Sequence, residues 1–82
     1  MAHHAERVAK IIERELSMIL LMEAKNNLLK YVSVTKVVTT KDLSLATIWF
    51  VVRGDEQEKQ ATINALEQSK GFLRSELSKR LE

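Results

Sequence analysis

The sequence predicts an α+β fold in the order helix, strand, strand, helix, helix. Three observations carry that prediction: a helical apolar period up to about residue 24, a switch to alternation between Tyr31 and Val52, and a return to helical spacing after Gly54.

Turning successive residues by about 100° brings Val8, Ile11, Ile12, Leu16, Ile19 and Met22 onto one arc, which predicts an amphipathic helix from Ala5 to about residue 24. Glu15 projects into the same arc, so a helix end or a basic side chain has to satisfy it. Lys25-Asn26-Asn27 interrupts the pattern. Val32 and Val34 then alternate with Ser33 and Thr35 as a strand. Lys36 falls on the apolar parity and Val37 is followed directly by Val38, which leaves two readings open, a β-bulge or an exposed strand end. Thr40 to Ser44 reads as the turn. The second strand, Leu45 to Val52, places Ala46, Ile48, Phe50 and Val52 on one face and Thr47, Trp49 and Val51 on the other.

Gly54 ends that strand, and Asp55 with Glu58 three residues later resembles a capping box. The helix that starts there carries Ala61, Ile63, Ala65 and Leu66; beyond Ser69-Lys70-Gly71 a new stripe begins at Phe72, Leu73, Leu77 and Leu81. Glycine inside a helix costs about 1 kcal/mol relative to alanine, so Gly71 predicts a bend that separates two helices. A two-stranded sheet is marginal alone and needs the helices on its apolar face. The expected core is Val8, Ile12, Leu16, Ile19, Val32, Val34, Ile48, Phe50, Leu66, Phe72, Leu73 and Leu77.

At 82 residues the chain is read as one domain, with residues 1–4 expected to be disordered or derived from a tag. There is no cysteine, which excludes disulfides and thiolate chemistry and makes the cytoplasm the expected compartment. The apolar run Met18 to Met22, which no other exceeds, is far short of the roughly 20 residues a membrane span requires. Thirteen Lys and Arg against eleven Asp and Glu give a net charge of +2. Catalysis has little to work with. The only histidines are His3 and His4, the only glycines are Gly54 and Gly71, Asp42 and Asp55 serve a turn and a cap, and Glu13, Glu15 and Glu23 are spread around a helix. No enzyme activity, metal, cofactor or small-molecule substrate is expected.

Four pieces of sequence in this order resemble the ribosome-binding factor A family: Arg7-Val8 opening the first helix, Val32-Ser33-Val34-Thr35-Lys36-Val37, Lys41-Asp42-Leu43-Ser44-Leu45-Ala46, and Ser69-Lys70-Gly71-Phe72-Leu73-Arg74. The resemblance covers nearly all of residues 6 to 81. It implies a type II KH-like fold in which Ser69, Lys70 and Gly71 form an interhelical kink, and a monomeric bacterial factor that binds the immature small (30S) ribosomal subunit and its rRNA late in maturation and rRNA processing. Asn26-Asn27 stands where the family commonly has Asp-Pro, Ser69 replaces an alanine, and the family's third strand and charged tail are not present after Glu82.

Arg7, Lys10 and Arg14 lie within about 60° of one another, opposite the apolar arc. Such a stripe suits backbone phosphates, and otherwise forms a solvated face partly paired by Glu6 to Lys10. Lys70 and Arg74, one turn apart beside Gly71, are the foremost RNA-contact candidates, helped by the free N–H groups of a helix restarting there. Arg74 could instead pair with Glu67 or Ser78. Lys36 and Lys41 flank the hairpin and rank lower, as do Lys79 and Arg80. Trp49 is read first as cover for a strand neighbour and second as a stacking surface for an unpaired base. The alternative to an RNA-binding assembly factor is a protein-interaction module whose open sheet edge accepts a partner strand.

Overall fold

In the computed structural model residues 3–23 and 26–81 are described. Helix α1 (His3–Met18) opens two residues earlier than the sequence pattern indicates and passes into a π-helical turn, Ile19–Glu23. A 3₁₀ turn, Asn27–Tyr31, leads into strands β1 (Val32–Thr39) and β2 (Ala46–Val52), and helix α2 (Glu56–Arg80) completes the described chain. The 3₁₀ turn is not signalled by periodicity. Asn26 initiates it, its side-chain oxygen accepting from the Leu28 amide at 2.9 Å.

The two strands pair antiparallel, Val34 opposite Phe50 and Lys36 opposite Trp49, so Thr35 is an extra residue and a bulge resolves the broken alternation. One added residue reverses the parity after it. Val37 turns toward the helices and is buried, while Lys36 and Val38 face outward.

Leu16, Leu20, Leu29, Val32 and Ala65 form one core cluster, and Ala9, Ile12 and Val37 form the other; Val34 and Ile48 pack against both. The expected core is therefore largely present, with one correction on the sheet. Phe50 lies on the helix-facing side by register but is 44% exposed, because α1 lies across β1 whereas β2 is touched only lightly by α2.

The two helices expected on either side of Gly71 are one continuous helix, α2, and the helix restart at Gly71 is not found. Its inward stripe is Thr62, Ala65, Leu66, Ser69, Leu73 and Leu77, while Ala61 and Ile63 are exposed. Thr62 is fully buried in that stripe, and its hydroxyl donates to the Glu58 carbonyl one turn back at 2.9 Å. The capping box is formed as predicted: Asp55 Oδ1 accepts from the Glu58 amide and Glu58 Oε1 from the Asp55 amide, both at 2.8 Å.

The two glycines differ in kind. Gly54 has φ of +127°, and a Cβ there would stand 2.8 Å from the Glu58 Cβ. Gly71 lies on the exposed side of α2, where a Cβ would meet nothing within 4 Å. Gly54→Ala is accordingly expected to destabilise by about 1–3 kcal/mol, and Gly71→Ala to stabilise by up to about 1 kcal/mol, as read from urea unfolding. A loss of stability at Gly71 would restore the requirement for a bare backbone there.

Candidate nucleic-acid interface

The apolar arc of α1 is turned inward apart from Ile11, which is exposed, and Arg7, Lys10 and Arg14 share the exposed face. Their charges are only lightly engaged. Lys10 Nζ is 3.9 Å from Glu13, and Arg14 Nε is 3.6 Å from Glu15, across side chains that keep 84% and 69% of their surface for the two cations. Exposed ion pairs of this kind contribute about 0–1 kcal/mol and leave the cations available to phosphate.

Lys70 and Arg74 are exposed on α2, on either side of Gly71. Lys70 Nζ is 3.4 Å from Glu67, whereas the Arg74 side chain has no ion-pair partner among the described residues. Since the helix does not restart at Gly71, no helix N-terminus adds positive potential there. Lys41 is exposed in the hairpin turn. Lys36 stacks over the Trp49 ring, its ammonium 5.2 Å from the centroid.

One groove brings two of these candidates together. An open depression of about 350 Å³ runs between α1 and the unpaired edge of β1, lined by Ala9, Lys10 and Glu13 on one wall and by Lys36, Val37 and Val38 on the other. Arg7, Arg14, Lys41, Lys70 and Arg74 are not part of its lining.

Arg80 belongs to the fold instead. Its Nη1 donates to Glu15 Oε1 at 3.1 Å, with both side chains less than one quarter exposed, and the pair ties the end of α2 to α1. This is the basic side chain that Glu15 required. Lys79 pairs with Glu76 at 3.2 Å. Arg53, absent from the sequence-based candidates, is held across the start of the hairpin: Nη1 donates to the Ser33 hydroxyl and Nη2 to the Lys30 carbonyl, both at 2.6 Å. Only its place after a strand could have marked it.

The hairpin turn is organised by Asp42. Its Oδ1 accepts from the Thr40 hydroxyl at 2.7 Å, the Ser44 hydroxyl at 2.8 Å and the Ser44 amide at 3.1 Å, and this frame holds Leu43 at φ of 61°. These bonds, the Thr40 hydroxyl first, lower the Asp42 pKa from 3.8 to about 2. Because the folded value is the lower one, the stabilisation is fully present above about pH 4 and is lost as pH falls toward 2. The carboxyl carbon resonance of Asp42 should titrate with a midpoint near 2 in the folded chain. A midpoint at 3.8 would mean the turn network does not form in solution.

Among the described residues no group of three or more His, Cys, Asp or Glu could hold a metal ion, and no helix is long and apolar enough to cross a membrane.

The family model described as Ribosome-binding factor A matches residues 4–82. The chain is 39% identical over 82 residues to Ribosome-binding factor A of Macrococcus caseolyticus, an alignment that covers all of this chain and 72% of that protein. It is 35% identical over 82 residues to the protein of the same name from Desulforamulus reducens, covering all of this chain and 68% of that one. With the Staphylococcus carnosus protein of that name it shares 40% identity over 77 residues, 94% of this chain and 67% of that protein.

Proposed function

Because the chain belongs to the ribosome-binding factor A family, we propose that it is a non-enzymatic ribosome assembly factor that docks on the immature small subunit and its rRNA late in maturation and rRNA processing. The observation that carries this reading is the family match across residues 4–82. The surface supports it with cations that fold formation leaves available: Arg7, Lys10 and Arg14 on α1, Lys70 and Arg74 on α2, and Lys36 and Lys41 on the hairpin. Each phosphate neutralised by such a group releases counterions, so affinity comes from backbone charge and RNA shape rather than from reading base edges. The factor works in the cytoplasm as a monomer.

Gly71 finds a role in this reading. Nothing inside the fold requires glycine there, and a bare backbone between Lys70 and Arg74 lets a phosphate chain approach α2 closely.

Co-sedimentation with purified small and large subunits across a salt series tests the proposal. Selective retention on small subunits that falls steeply with salt is expected. The open edge of β1 favours a second reading, in which a partner protein adds a strand there. Retention that is nearly indifferent to salt would select that reading instead.

A further inference from the structure

The outward face of the β1–β2 hairpin takes no part in the core, and its composition is unusual for a solvated strand surface. Its rows are Ser33 with Val51, Lys36 with Trp49, and Val38 with Thr47. Trp49 keeps 47% of its surface exposed even with Lys36 over the ring, and Val38 and Val51 beside it are 44% and 52% exposed. A tryptophan serving only as cover would be buried against an aliphatic neighbour. Here the side chain stacked on it is a cation, which restrains the ring and leaves much of it open.

The charge on this hairpin is predominantly positive. From Val32 to Arg53 there are three cations, Lys36, Lys41 and Arg53, and a single carboxylate, Asp42, whose Oδ1 is engaged by Thr40 and Ser44 in the turn. Arg53 is bound by a hydroxyl and a carbonyl, so no anion compensates its guanidinium in either contact. An exposed indole beside aliphatic surface, with Lys36 over its ring and Arg53 further along the same strand face, is complementary to a base with its phosphates. Protein interface cores also take Trp and Arg but are depleted in lysine, and it is Lys36 that lies over this ring.

We propose that Trp49 is a stacking platform for one unpaired RNA base, with Lys36, across the strand pair from it, and Arg53, further along the same face, holding neighbouring phosphates. The inference rests on the RNA-directed reading above and adds a contact on the sheet surface to those on the helices. Single-stranded segments are its targets, since bases in a duplex do not offer their faces.

Trp49 is the only tryptophan in the chain, so intrinsic fluorescence reports on this site alone. The intact chain is titrated with a uridine oligonucleotide of about 10 nucleotides and, separately, with an RNA duplex of similar length. Saturable quenching by the single strand and none by the duplex is expected. Trp49→Ala should bind the labelled single strand about 5- to 150-fold more weakly, and Trp49→Phe should recover most of the loss. Lys36→Ala should reduce the slope of log affinity against log salt by about 0.7. Melting curves of the variants establish that they are folded. Emission that ignores the single strand, or a folded Trp49→Ala that binds it as tightly as the parent, overturns the proposal. So does binding to RNA-free small-subunit proteins that is lost in the folded Trp49→Ala, which would make the face a protein contact. Co-sedimentation of the parent chain separates the two levels. Retention on small subunits with a silent Trp49 removes only this inference, whereas quenching by RNA without retention removes the assembly role and leaves the platform standing.

Discussion

Truncating Ile19 to alanine is expected to lower the unfolding free energy by about 2–5 kcal/mol, while the same truncation at Met22, three residues on, should change it by about 0.5 kcal/mol or less. Both residues fall on the apolar arc of a regular helix. Both lie in the π-helical turn, Ile19 at its start and Met22 near its end. By closing hydrogen bonds one residue later than an α-helix, this turn is wider and shifts the phase of everything that follows. Ile19 and Leu20 are 0% and 4% exposed, whereas Leu21 and Met22 are 70% and 71% exposed. Removing Ile19 opens a cavity against a core that a chain of this size cannot easily spare, given total stabilities of about 0.05–0.15 kcal/mol per residue. Urea unfolding of the two variants decides the matter. Equal losses would show that α1 continues as an ordinary helix and that Met22 packs inward.

The second large effect is on binding. Reversing Arg7, Lys10 and Arg14 together to glutamate is expected to weaken retention on small subunits by about 100-fold or more, as the removal of three charge-assisted contacts implies. The slope of log affinity against log salt should fall by about 2. The melting temperature should barely move, because the three side chains are exposed and their present ion pairs contribute little. A triple variant that sediments like the parent takes the α1 face out of the interface and leaves Lys70 and Arg74 to carry it; the corresponding double reversal on α2 is the direct comparison.

Gly71 shows how a sound local argument can miss. A mid-helix glycine is a real cost, and the sequence reading placed a helix boundary there. In the structure α2 continues through it, because the inward stripe keeps one phase on both sides: Thr62, Ala65, Leu66 and Ser69 before it, Leu73 and Leu77 after it. Continuous packing against the 3₁₀ turn and the ends of the core outweighs about 1 kcal/mol of propensity. Lys36 is the reverse case. Its misplaced parity was a true signal, and pairing resolved it as a bulge at Thr35.

The first helix, the two strands and the start of α2 were legible in order because periodicity, the Asp55–Glu58 cap and the Gly54 stop all act within a few residues of chain, whereas the π and 3₁₀ turns and the continuity of α2 through Gly71 were not. The basic stripe on α1 was legible for the same reason, being simply the face opposite an apolar arc. What lay beyond local reading depends on the partner across the gap. Glu15 has its answer in Arg80, 65 residues away; Phe50 is exposed because α2 scarcely reaches β2; Met22 is exposed because the π turn rotates it outward; Trp49 acquires Lys36 only once the register is set. Side-chain sequence establishes which faces are apolar and which are charged, but burial and pairing are properties of two surfaces meeting, and only the packed tertiary structure brings the second surface into place.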